Sequence, residues 1–102
     1  MAKDAIAALE KVQADRIVAP SSSCAITMSD DYVRLFADDP EWRARAMRLA
    51  ERIRPFTTIA HELAKGSDIR GRALDLRATY HDACQSANVL GIHDQPRELL
   101  RR

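Results

Sequence analysis

RIVAPSSSC, residues 16–24, is the stretch on which the fold class turns. Arg16-Ile17-Val18-Ala19 is a short apolar run closed by Pro20, which suits a buried strand. Ahead of it, residues 2–13 (AKDAIAALEKVQ) place Ala5, Ile6, Leu9 and Val12 on one stripe with charges opposite, the pattern of an amphipathic helix. Behind it, Ser21-Ser22-Ser23 form a small-residue loop that ends on Cys24. A strand following a helix and leading into such a loop belongs to an α/β fold. Loops at the carboxyl ends of parallel strands are where such folds place ligands.

Working outward, Ser29 is a candidate cap for a helix through Asp30, Asp31, Tyr32, Val33, Leu35 and Phe36. Asp38-Asp39-Pro40-Glu41 is a stronger start, with Asp39 at N-cap, Pro40 at the first helical position and acids at the positive end of the dipole. That helix carries Trp42, Ala46, Leu49 and Ile53 on one face until Pro55 ends or kinks it. Residues 56–64 continue as a short helix stopped by Lys65-Gly66. The polar turn GSDIRGR (66–72) is an internal boundary, and ALDLRATY (73–80) alternates apolar with polar for part of its length, as a strand does. A helix from Asp82 to about Leu90, ended by Gly91, and a last one opened by Asp94-Gln95-Pro96 complete the order. The expectation is a helix-rich α/β arrangement with short parallel strands at about 16–19 and 73–80, flanked by helices. Two strands make a poor sheet alone, so the chain reads as an incomplete part of a larger α/β domain.

Composition narrows the function classes. Hydrophobic residues make up 46% and charged residues 30%, which fits a globular chain and not a disordered one. A net charge of +1 gives no pull towards nucleic acid. The basic run Arg43, Arg45, Arg48, Arg52, Arg54 is interleaved with Glu41 and Glu51, so it reads as a solvated helix face. No apolar run approaches the ~20 residues of a membrane span. Two cysteines sixty positions apart make no disulfide framework, and the expected compartment is cytoplasmic.

The chemistry-bearing residues are few. Cys24 follows the first strand, where it is either a reactive thiol or a small packing residue. Cys84 has the same address after the second strand, with His81 three positions before it. Cysteine and histidine at that spacing can share an ion, but a closed zinc site needs four ligands. Only Cys24, His61 and His93 remain, without ligand-pair spacing; His61 reads as an exposed helix residue and His93 as a loop residue. A Cys84–His81 thiol enzyme is a weaker reading, because a catalytic pair needs spatial and not sequential adjacency. Each cysteine is followed by an acidic, proline-bearing helix start (Asp39-Pro40, Asp94-Gln95-Pro96), as a duplicated cofactor-binding domain would show.

With RIVAPSSSCA, DDYVRLFADDPEWRARAMRLAERIRPFT and ATYHDACQSANVLGIHDQPRELL together, the chain resembles the cysteine-rich (CCG) domain family of iron–sulfur oxidoreductase subunits over about residues 3–101. Members serve lactate and glycolate oxidation and, more distantly, heterodisulfide reduction. They carry two repeats built around a Cys…Cys-Cys-Gly…Cys-x-x-Cys pattern. The resemblance implies that Ser21-Ser22-Ser23-Cys24 is the closing Cys-x-x-Cys of the first repeat with serine in first position, and that Cys84 is the opening cysteine of the second. Residues 1–66 would then be the end of the first repeat with connecting helices, and 67–102 the start of the second. The Cys-Cys-Gly pairs occur nowhere here, so the chain resembles the central span of a longer protein.

The resemblance implies a non-catalytic electron-transfer component of a 2-hydroxy-acid oxidation system. Cys24 and Cys84 would be cluster or metal ligands, His81 an additional metal ligand, and Ser21 and Asp82 would orient the sites around them. A flavin-dependent 2-hydroxy-acid dehydrogenase or another iron–sulfur subunit would be the partner. A four-iron cluster takes about four thiolates, and this chain offers one from each repeat, so it is not expected to hold a cluster alone. The alternative is a cofactor-free helical interaction module that associates with itself, because an uncovered strand edge must be paired or covered.

Overall fold

A computed structural model describes residues 1–102, which divide into two compact units, Met1–Pro55 and Phe56–Arg102. In the first unit, α1 (Ala2–Glu10) leads into β1 (Ile17–Ala19), followed by α2 (Ser22–Ile26), a π-helical turn (Thr27–Asp31), α3 (Tyr32–Leu35), α4 (Pro40–Ala50) and β2 (Ile53–Pro55). The two strands run parallel, with Ile17 opposite Ile53, Val18 opposite Arg54 and Ala19 opposite Pro55. The helical excursion between them is what lets parallel neighbours be joined. The fold is helix-rich α/β, as the sequence implies.

Local chemistry accounts for the boundaries. The Asp39 side chain accepts the Trp42 N–H at 3.2 Å and Pro40 follows it, so α4 starts where the sequence places its cap. Ile6 (0% exposed) on α1 packs with Ala46 and Leu49 (1% exposed) on the inner face of α4, and Ala25, Ile26 and Ile53 extend the core under the sheet. Phe36 is buried with its ring 5.8 Å from that of Trp42. Trp42 is held between cations, Arg45 at 3.9 Å and Lys3 at 5.0 Å from its ring centroid. Arg45 also makes a two-pronged pair with Glu10, so this part of the arginine run is anchored internally and is not a solvated face. Arg52 closes the end of α1: its guanidinium donates to the carbonyls of Val12 at 2.5 Å and Ala14 at 2.9 Å, with Leu9 more distant at 3.5 Å.

Two local expectations are corrected here. Residues 73–80 form no strand; they bend at Asp75, where Leu76 N–H donates to Leu74 C=O at 2.8 Å, both leucines are exposed, and β2 is instead Ile53–Pro55. Alternation is a local pattern, whereas a strand exists only where a neighbour supplies its hydrogen bonds, as Arg52 C=O does for Ile17 N–H at 2.8 Å. Pro55 lacks a donor and tolerates the end of the ladder. Ser29 does not cap a helix, because the helical run has already begun at Ser22; its hydroxyl donates to Ala25 C=O at 2.7 Å.

The second unit comprises α5 (Phe56–Lys65), a segment over residues 66–83 with neither helix nor strand, α6 (Cys84–Asn88) and α7 (Gln95–Leu100). α5 packs on α7. Gly91, at φ +64°, takes a conformation that side chains disfavour and turns the chain so that Ile92 N–H reaches Ser86 C=O at 2.9 Å and Ile92 is buried.

Candidate functional site

Ser21 stands at the N-cap of α2 in an extended conformation, directly after the carboxyl end of β1, and Cys24 is the third residue of the helix. Cys24 is therefore on a helix and not in the loop that its small neighbours suggest, and its thiol is free and exposed. The Ser21 and Ser23 hydroxyls share a hydrogen bond of 2.9 Å beside it. Ser23, Cys24, Thr27, Met28 and Tyr32 line a shallow, mostly apolar hollow. Its floor is shaped by the π turn, in which Tyr32 N–H reaches back to Thr27 C=O and Thr27 Oγ1 donates to Asp31 Oδ2 at 3.1 Å. Such turns occur often at functional sites.

Cys84 opens α6 after Ala83 in an extended conformation, and its thiol is also free and exposed. Asp82, two residues before it, is gripped by Arg97 of α7: Nη1 donates to Oδ1 at 2.8 Å and Nη2 to Oδ2 at 2.6 Å. The same Nη1 donates to His93 C=O at 2.6 Å, and the guanidinium lies 5.4 Å from the Tyr80 ring centroid. The Arg97 hydrogen bonds hold the Asp82 carboxyl below the usual carboxylate range, and Asp82 in turn raises Arg97. His81, between Tyr80 and Asp82, is exposed.

His93 lies in an exposed loop, as read from the sequence. His61 does not match its expectation: its side chain is only 12% exposed, and Nε2 hydrogen-bonds Glu98 Oε2 of α7, with Lys65 Nζ 4.0 Å from the same oxygen. That bond holds the Glu98 carboxyl below its ordinary value. Sequence reasoning also missed Arg97, because its partner is fifteen residues away across a turn and no local spacing reports such a pair.

Cys24 belongs to the first unit and Cys84 to the second, and no group of three or more cysteine, histidine or acidic side chains is gathered to hold a metal. A four-iron cluster needs about four thiolates. The side chains of this chain taken alone do not fit one.

Residues 1–29, which carry α1, β1 and Cys24, match the family described as "Cysteine-rich domain". The chain is 40% identical over 88 residues to lactate utilization protein A of Bacillus licheniformis, covering 86% of this chain and 36% of that protein. It is 42% identical over 87 residues to the lactate utilization protein A of Geobacillus kaustophilus (85% and 36%), and 38% over 99 residues to that of Bacillus velezensis (97% and 40%). The chain thus spans little more than a third of the length of the curated relatives it matches. No solved structure matches it.

Proposed function

We propose, from the match of residues 1–29 to the cysteine-rich domain and from the similarity to lactate utilization protein A, that this chain is part of an iron–sulfur electron-transfer component of a lactate or glycolate oxidation system. Cys24 and Cys84 each act as one thiolate ligand, one from each repeat, and the remaining thiolates come from outside this pair. The observation that carries the reading is that both cysteines are free, exposed and set at the first turns of helices, next to Ser21 and Asp82 respectively. A buried cysteine would pack and do nothing more; these two are available. His81, exposed beside Cys84, is a further ligand candidate in the same reading. The chain has no catalytic role of its own here. Its partner is a flavin-dependent 2-hydroxy-acid dehydrogenase or a second iron–sulfur subunit, in the cytoplasm.

The test is the iron and sulfide content of the chain prepared without oxygen, with Cys24→Ser and Cys84→Ser beside it. Iron and sulfide present in the parent and lost in both variants support ligation by both cysteines. No bound metal in any of the three overturns cluster binding by this chain. A second reading then takes its place, a cofactor-free helical module that associates with itself or a partner. It is favoured by the exposed Leu74 and Leu76 of the segment before α6.

A further inference from the structure

We infer that Arg97 is the positioning residue for Cys84. The inference rests on the proposed ligand role of Cys84 and names what holds that residue in place. Residues 66–83 contain no helix or strand, and α6 begins at Cys84 without a side-chain cap. Nothing regular on the N-terminal side therefore fixes where Cys84 stands. The restraint comes from α7 instead. Arg97 grips both oxygens of Asp82 at 2.8 and 2.6 Å, two residues before the cysteine, and its guanidinium lies near the Tyr80 ring, four residues before it. The same guanidinium holds the turn that enters α7 through His93 C=O at 2.6 Å. Pro96, beside Arg97, is buried, so the arginine reaches out from a seated helix. One planar fork thus ties the segment leading into α6 to the turn leaving it. The turn's other end is fixed by the Ile92 N–H bond to Ser86.

A fork of this kind needs arginine, because a lysine ammonium supplies the charge without the paired geometry. That separates a positioning role from a merely electrostatic one. The acids and histidines around the fork are Asp82, Asp94, His93 and His81, and only Asp82 is gripped bidentately.

The experiment is hydrogen exchange on the full chain, read at the amides of residues 80–86, together with the alkylation rates of Cys84 and Cys24 by iodoacetamide. The variants are Arg97→Ala, Arg97→Lys and Asp82→Asn, with Arg101→Ala as a charge control on the same helix. Release of the fork is expected to speed exchange at residues 80–86 by about fivefold or more and to raise the Cys84 to Cys24 alkylation ratio about threefold. Arg97→Lys should behave like Arg97→Ala, and Arg101→Ala like the unaltered chain. Unchanged exchange at residues 80–86 in Arg97→Ala overturns the inference. So does rescue by lysine, or faster exchange spread equally over α5, which would make Arg97 a general stability contact. These readouts need no metal, so they stand apart from the iron and sulfide test: a parent chain without iron sinks the cluster reading and leaves the positioning result to be judged on exchange alone.

Discussion

Replacing Ile6 by alanine tests the packing of the first unit at its narrowest point. Ile6 is fully buried and is the one buried residue of α1, a helix of nine residues. Nine residues are too few to stay helical alone in water, so α1 depends on its seat against α4. Alanine removes three carbons, worth about 2.4 kcal/mol of transfer at roughly 0.8 each. The void left between α1 and α4 adds to that, for a total of about 3–4 kcal/mol. Against a total stability of about 5–15 kcal/mol this is a large fraction. With a urea slope near 1.5 kcal/mol per molar, the midpoint should fall by about 2 M. Trp42 is the sole tryptophan and lies in this unit with Lys3 of α1 against its ring, so its fluorescence follows the unit and the docking of α1 together. Ile6→Val, which trims one methyl, should cost only about 1 kcal/mol. A midpoint drop below about 0.5 M for Ile6→Ala, or equal effects of alanine and valine, would refute the packing account.

Two further outcomes are expected. Arg52→Ala removes the donors that satisfy the carbonyls of Val12 and Ala14, and should lower the same midpoint by an amount corresponding to about 1–2 kcal/mol after allowance for solvent exposure; a change confined to the second unit would contradict it. In the second unit, the depressed carboxyl of Glu98 contributes stability that is present above its unfolded value near pH 4.3 and is lost as pH falls through the lower folded value. Amide protection in α7 should therefore fade from about pH 5 downward, and Glu98→Gln should flatten that dependence; an identical acid profile in the two chains would show that the His61 pair contributes nothing.

What could be read in advance follows the range of the interactions. The start of α4 lies within four consecutive residues, in Asp39, Pro40 and the Trp42 amide, and was legible in full. β1 was legible because Ile17 and Val18 are β-branched and Pro20 stops the run. β2 was not: three residues ending in proline between two helices leave no alternation to detect, and only β1 gives them a reason to extend. ALDLRATY showed the opposite failure, a pattern without a partner. The helix start near Cys84 was visible, whereas the small residues around Cys24 suggested a loop where a helix stands; Arg97 and the His61–Glu98 pair were not visible, since each joins groups separated by a turn or a whole segment.

The π turn at Thr27–Asp31 also fixes something about inheritance and change in this chain. A π turn is an α-helix that has absorbed an extra residue. Because the extra residue is taken up within the turn, removing one residue between 27 and 31 restores ordinary helical bonding and leaves the flanking turns close to their present phase. Phe36 at the far end and Ala25 and Ile26 at the near end then keep their places in the core. What changes is the turn itself, which shapes the hollow that Cys24 lines with Tyr32. A single-codon deletion there should therefore spare the fold of the first unit and reshape the surroundings of Cys24.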